Sequence, residues 1–270
     1  MDFPLVMGCA AGGLVVGAVL AVVAGGVAAA SAVVAPGPAG GIVEAADRPG
    51  IPSAPWGPVA GVPATSGPEL IAADRPTEPG PLPPWAVAIS SLITGGLFAG
   101  AAAHFGHRPQ LAAYCVLFAT LVALSVVDLR VGLVPRRMLY PLSAAMVAAL
   151  VGASASGGTW RAIGDAAIGA AAAFAVLFAV WWIRPSGLGL GDVRLAGTIG
   201  AALGWLGLLH VYVGFLVAFV CGALGGIGLM LVRGTGRKTK MPFAPALGVG
   251  AVVAVLWGGP IINLWLPGHG

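Results

Sequence analysis

Residues 211–232, VYVGFLVAFVCGALGGIGLMLV, form a continuous apolar run without a charged side chain. A helix needs about 20 mainly apolar residues to cross the hydrocarbon core of a membrane. Over the whole chain, 59% of the residues are hydrophobic and 8% are charged, whereas about a quarter of the residues of a soluble domain are charged. The sequence therefore predicts a protein that is surrounded mainly by lipid.

Seven further apolar runs of comparable character are separated by short polar breaks. They are residues 5–34, 86–103, 111–127, 138–154, 164–183, 195–209 and 243–266. Because backbone polar groups must be satisfied internally in lipid, such runs favour helices. We expect an all-α, polytopic integral membrane helical bundle with about eight transmembrane helices.

Three regions follow along the chain. Residues 1–35 are predicted to be an N-terminal transmembrane helix that is retained, since a basic segment before the apolar stretch is lacking. Residues 36–85 hold 13 of the 22 prolines and the pentapeptide AADRP twice, at 45–49 and 72–76. Proline at this density favours a flexible linker, although the repeat could recognise a partner. Residues 86–270 are predicted to be a membrane-embedded domain.

Basic residues predict the orientation. With eight spans, eleven of them fall on one side and two, Arg108 and Arg161, on the other, and the richer side is cytoplasmic by the positive-inside rule. We therefore expect a multi-pass protein of the cytoplasmic membrane. The net charge of +4 is explained by orientation, so no nucleic-acid partner is expected. The eleven are Arg48, Arg75, Arg130, Arg136, Arg137, Arg184, Arg194, Arg233, Arg237, Lys238 and Lys240.

Carboxylates in the membrane body are costly and usually functional. Asp128 ends the third span and Asp192 follows the fifth, so both are predicted at the cytoplasmic face, while Asp165 is predicted at the opposite face. Two close carboxylates cannot both ionise, so one stays an acid and the other a base, as an aspartic peptidase requires. Alternatively, each aspartate caps a helix or pairs with Arg130 or Arg194.

A different class of function is also compatible with these residues: a small ion-coupled transporter or an assembly scaffold, in which the aspartates bind a proton or cation. Metal and cofactor sites are not predicted. The three cysteines contain no C-x-x-C pair, and His104 and His107 have no third ligand nearby in the sequence.

Three motifs in order carry a family resemblance: DLRVGLVPRRM at 128–138, GLGLGDVRLAGTIG at 187–200 and KMPFAPALGVGA at 240–251. Together they resemble the type IV prepilin peptidases, members of the GxGD class of membrane aspartic peptidases. The resemblance implies Asp128 and Asp192 as the catalytic pair, facing the cytoplasm. It implies that the following residues line the substrate groove or complete the motifs: Pro135, Gly189, Gly191, Arg194, Lys240, Pro242, Phe243 and Pro245.

The resemblance also implies the substrates, which are prepilins and pseudopilins with a short basic leader before one hydrophobic helix. Departures occur at 134–136, where Val-Pro-Arg replaces Ile-Pro-Asn, at Arg194 in place of lysine, and at Ala244 in place of glycine. The proline-rich residues 36–85 replace the family's zinc and methyltransferase region and lack its paired C-x-x-C motifs, so N-methylation is doubtful. Cleavage within a transmembrane helix, as in presenilin-like proteases, is an alternative that shares the G-x-G-D motif.

Overall fold

The computed structural model of the chain describes residues 3–17, 82–131, 136–183, 188–233 and 243–266. The described residues form eight helices and no strand, which confirms the predicted all-α bundle. The helices are α1 (Phe3–Gly17), α2 (Pro84–Phe105), α3 (Leu111–Val131), α4 (Arg136–Gly157), α5 (Trp160–Ile183), α6 (Leu190–Leu206), α7 (Leu208–Arg233) and α8 (Ala244–Trp265).

Six of these helices, α2, α3, α4, α5, α7 and α8, are long and apolar enough to cross a membrane. Helix α6 has 17 residues, or about 25 Å at the helical rise, against a hydrocarbon core of about 30 Å. The prediction of a multi-pass membrane protein is thus confirmed. Of the predicted first span, residues 18–34 lie outside the described residues, as does most of the proline-rich region.

Helix boundaries differ from the prediction at the sixth span. Helix α6 begins at Leu190 rather than 195 and ends before Gly207 rather than at 209. Gly207 has φ of 136°, a conformation that side-chain-bearing residues rarely adopt, and it separates α6 from α7. Hydropathy placed this break at residue 210 instead, because the residues on both sides of Gly207 are equally apolar.

Helix α6 lies inside the bundle, where it packs against α3, α4, α5, α7 and α8. More than half of its residues are buried, including Leu195, Ile199 and Leu203. Helix α5, in contrast, exposes large apolar side chains such as Phe174 and Trp182, as expected of a helix that faces lipid. The core helix α6 therefore places its first turn, which carries Asp192, within protein rather than lipid.

Glycine allows α5 and α6 to approach closely. A Cβ atom on Gly200 would lie 2.6 Å from the Ala173 Cβ and would also meet the Gly169 carbonyl. One turn further along α6, Gly204 contacts the backbone of Asp165 in the same way. Small residues four apart permit such backbone contact between membrane helices, so Gly200 and Gly204 fix α6 against α5.

Candidate active site

Asp128 lies in the last turn of α3 and is 4% exposed. Helix α3 extends to Val131, beyond the predicted end at 127, so this carboxylate projects from regular helix. Its Oδ2 accepts a hydrogen bond of 3.1 Å from the backbone N–H of Ala244, the first residue of α8. The α8 N-cap residue, Phe243, has no side-chain capping bond, so Asp128 caps α8 from a neighbouring helix.

Asp192 lies in the first turn of α6 and is 6% exposed. Its Oδ2 accepts a hydrogen bond of 3.3 Å from the backbone N–H of Gly189, the residue before the helix. Its second oxygen, Oδ1, is buried and has no hydrogen-bond partner among the described residues. Buried polar atoms in folded proteins are normally hydrogen-bonded, so this oxygen marks a site where a proton or a reacting group would be accommodated.

The two carboxylates act on each other electrostatically, which places them at the same end of the bundle. Burial and the Asp128 carboxylate raise the pKa of the Asp192 carboxyl to about 7, and the hydrogen bond from Gly189 opposes this rise. Asp192 precedes the predicted sixth span and belongs to none of the six helices of spanning length. Near neutral pH, the pair can therefore hold one proton, as acid and base catalysis by two carboxylates requires.

The glycines of the G-x-G-D motif occupy the start of α6. Gly189 has extended backbone with φ of −81°, which any residue can adopt, so its conformation does not require glycine. A Cβ on Gly189 would lie 3.3 Å from the Asp192 Oδ2, and this close approach is the physical reason for a small residue. Gly191 belongs to the first turn of α6.

Phe243 and Pro245 lie at the start of α8. The Phe243 ring packs against Phe219 of α7, with ring centroids 5.9 Å apart, and Gly222 leaves room for that ring. Pro245 occupies the first turn of α8, where a missing N–H breaks no helical bond. Both residues thus hold the N-terminus of α8, and with it the donor to Asp128, in place.

Of the other predicted site residues, only Arg194 lies within the described part of the chain. Arg194 is half-buried in α6, and Asp192 makes no ion pair with any basic residue in the described part of the chain. The alternative in which Asp192 pairs with Arg194 is thus not seen, whereas helix capping by both aspartates is. Pro135, Lys240 and Pro242 lie outside the described residues.

His104 lies on α2, at the other end of the bundle. It lines a cavity of about 410 Å³ together with Arg108, Gln110 and Trp205. The described residues contain no group of three metal-ligating side chains.

Sequence reasoning missed the backbone N–H of Ala244. The sequence singled out Ala244 as a departure from the family motif, but a backbone donor has no side-chain signature. Its role becomes visible only when α3 and α8 are packed side by side.

The fold and this site define a class of protein: an all-helical, multi-pass membrane protein with two buried carboxylates, from two different helices, that act on each other at one end of the bundle. The profile of the type IV leader peptidase family matches residues 115–227, a range that includes both aspartates.

Curated relatives agree with the profile. The prepilin leader peptidase/N-methyltransferase of Bacillus subtilis (strain 168) is 30% identical over 177 residues, which cover 66% of this chain and 68% of that protein. The chain therefore belongs to the type IV leader peptidase family. A protein of the same name from Aeromonas hydrophila is 36% identical over 152 residues, 54% of this chain and 49% of that protein.

A third relative with this name, from Xanthomonas campestris pv. campestris, is 31% identical over 180 residues and covers 65% of this chain. The chain spans about half the length of the Aeromonas proteins that it matches. No solved structure gave a significant match.

Proposed function

We propose that this protein is an aspartic endopeptidase that removes the short leader of type IV prepilin-like or pseudopilin precursors. The observation that carries the proposal is the buried Asp128 and Asp192 pair within the region matched by the family profile. The relatives' name supplies the substrate class. No cofactor is needed, because two carboxylates and water suffice for peptide hydrolysis.

The chemistry follows from a pair that holds one proton. The ionised carboxylate removes a proton from water as the water oxygen attacks the peptide carbonyl carbon. The neutral carboxyl donates a hydrogen bond to the carbonyl oxygen as charge develops there. Burial strengthens both interactions because the local dielectric constant is low.

The site faces the cytoplasm in this proposal, and the protein resides in the cytoplasmic membrane. Support comes from the eleven basic residues on the side that contains both aspartates and from the two on the opposite side. A substrate with a basic leader and a hydrophobic helix would then present its cleavage site at the same membrane edge. The proposal covers cleavage alone, because this sequence has no C-x-x-C pair.

The test is co-expression with a prepilin from the same cell, with the leader followed by gel shift and N-terminal sequencing. Asp128→Asn and Asp192→Asn are expected to abolish cleavage. Asp165→Asn, which changes the one other described carboxylate of the body, is the matched control and should cleave like the wild type. Mass measurement of the new N-terminus reports methylation separately.

Cleavage by either catalytic variant at the wild-type rate would refute the proposal. If the wild-type protein cleaved no prepilin but supported ion flux that depends on Asp128 and Asp192, the transporter hypothesis would replace it. A cut within the hydrophobic segment would indicate presenilin-like cleavage instead.

A further inference from the structure

The two carboxylates have different surroundings, although each accepts a hydrogen bond from the backbone at the start of a helix. Asp128 Oδ2 accepts a hydrogen bond from the first N–H of α8. That N–H would otherwise be an unpaired donor of a buried helix end, and the positive end of the helix dipole favours a negative charge on its acceptor. This hydrogen bond favours the ionised form of Asp128.

The hydrogen bonding of Asp192 is weaker than that of Asp128. Its bond from Gly189 is longer, at 3.3 Å, and Oδ1 is buried without a partner among the described residues. An ionised carboxylate in this position would leave a charged oxygen buried and unpaired, which costs more than burying a neutral carboxyl. This environment therefore favours the protonated form of Asp192.

No described basic group around Asp192 stabilises its ionised form enough to reverse this preference for the protonated form. Helix α6 itself carries Arg194, which lies two residues further along and points to another face. The ends of α3 and α4 near the site carry Arg130, Arg136 and Arg137, and none of these is among the groups that shift the pKa of the Asp192 carboxyl. The near end of α8 adds no described charged side chain, and the acidic group that faces Asp192 is Asp128.

We propose that Asp128 is the ionised base and that Asp192 holds the shared proton before the substrate binds. This assignment rests on the proposed peptidase function and adds individual roles to the pair. Asp128 takes a proton from water as the O–C bond forms, and Asp192 gives its proton to the carbonyl oxygen. Asp128 then passes its proton to the leaving nitrogen as the C–N bond breaks, and Asp192 recovers a proton from a hydroxyl of the intermediate.

The direct test measures the proton rather than cleavage. Infrared spectra of the wild type, Asp128→Asn and Asp192→Asn in lipid bilayers at pH 5 to 6 would be compared in the carbonyl stretching region of protonated carboxylic acids. We expect the wild-type band to disappear in Asp192→Asn and to persist in Asp128→Asn. A band that survives in Asp192→Asn, or that disappears in both variants, overturns the assignment.

A second measurement removes the donor to Asp128. Ala244→Pro deletes the N–H at the first position of α8 and should lower the cleavage rate on the order of tenfold by destabilising the charged base. It also places proline after a residue with helical backbone, Phe243, which proline disfavours, and the control shares this feature. Ala246→Pro is the matched control, because it too removes an N–H of the first turn but not the donor to Asp128. Equal rates for the two variants would contradict the proposed role of Ala244.

The spectra separate the two proposals. If the wild type cleaves prepilin and the band follows Asp128, the role assignment fails and the peptidase function stands. If no prepilin is cleaved, the function fails whatever the spectra show.

Discussion

The close contact between α5 and α6 predicts the effect of a single methyl group. In Gly200→Ala, the new Cβ would lie 2.6 Å from the Ala173 Cβ, about 0.8 Å inside the 3.4 Å at which ordinary contact begins. The backbone of Gly169 blocks the other direction, so the two helices must separate. Overpacking of this kind typically costs about 1–3 kcal/mol.

A matched control lies one turn earlier on the same helix. A Cβ on Gly197 would lie 3.7 Å from the Phe174 side chain, which is ordinary contact. Both substitutions gain the same helix propensity, about 1 kcal/mol in water. The difference in the free energy of unfolding between Gly200→Ala and Gly197→Ala therefore isolates the overpacking cost of about 1–3 kcal/mol.

The assay is SDS-induced unfolding in detergent micelles, followed by circular dichroism and tryptophan fluorescence. Gly200→Ala should unfold at a lower SDS fraction than Gly197→Ala, and its prepilin cleavage should fall because α6 carries Asp192. Adding Ala173→Gly should recover part of the loss. If both alanine variants unfolded at the same SDS fraction, the inferred close packing of α5 on α6 would be wrong.

Three further predictions concern single bonds and the shared proton. Tyr114→Phe removes the buried bond of 2.8 Å from the phenolic O–H to the Ala202 carbonyl and should lower the free energy of unfolding by about 1–2 kcal/mol, measured by the same SDS titration. The pKa of Asp192 is raised to about 7, so its proton is retained below that pH and lost above it. The cleavage rate should therefore decline as the pH rises through about 7. A cleavage rate that is constant from pH 6 to 9 would contradict this prediction. Gly189→Pro removes the N–H that holds the Asp192 carboxyl in position, at a φ that proline accepts, and the loss of this positioning should reduce cleavage on the order of tenfold. Gly189→Ala keeps the donor and should reduce cleavage less. The reverse order would contradict a positioning role for this bond.

Much of the fold was predictable because membrane helices are determined by local composition. Six described helices match predicted spans to within a few residues, since each is a run of apolar residues between polar breaks. The sixth predicted span was misplaced because both sides of Gly207 are equally apolar. Its end depends on a backbone conformation that hydropathy does not report.

The sequence by itself determined that the chain is a lipid-embedded helical bundle and singled out Asp128 and Asp192, because charged groups stand out against an apolar background. Tertiary structure decided the hydrogen-bond surroundings of each carboxylate. The hydrogen bond from Ala244 to Asp128 joins two helices that are far apart in the chain. The Asp192 Oδ1 atom is buried without a partner among the described residues because the bundle packs around it. In lipid, such contacts depend on how closely helix backbones approach, and that distance is set by three-dimensional packing rather than by local hydrophobicity.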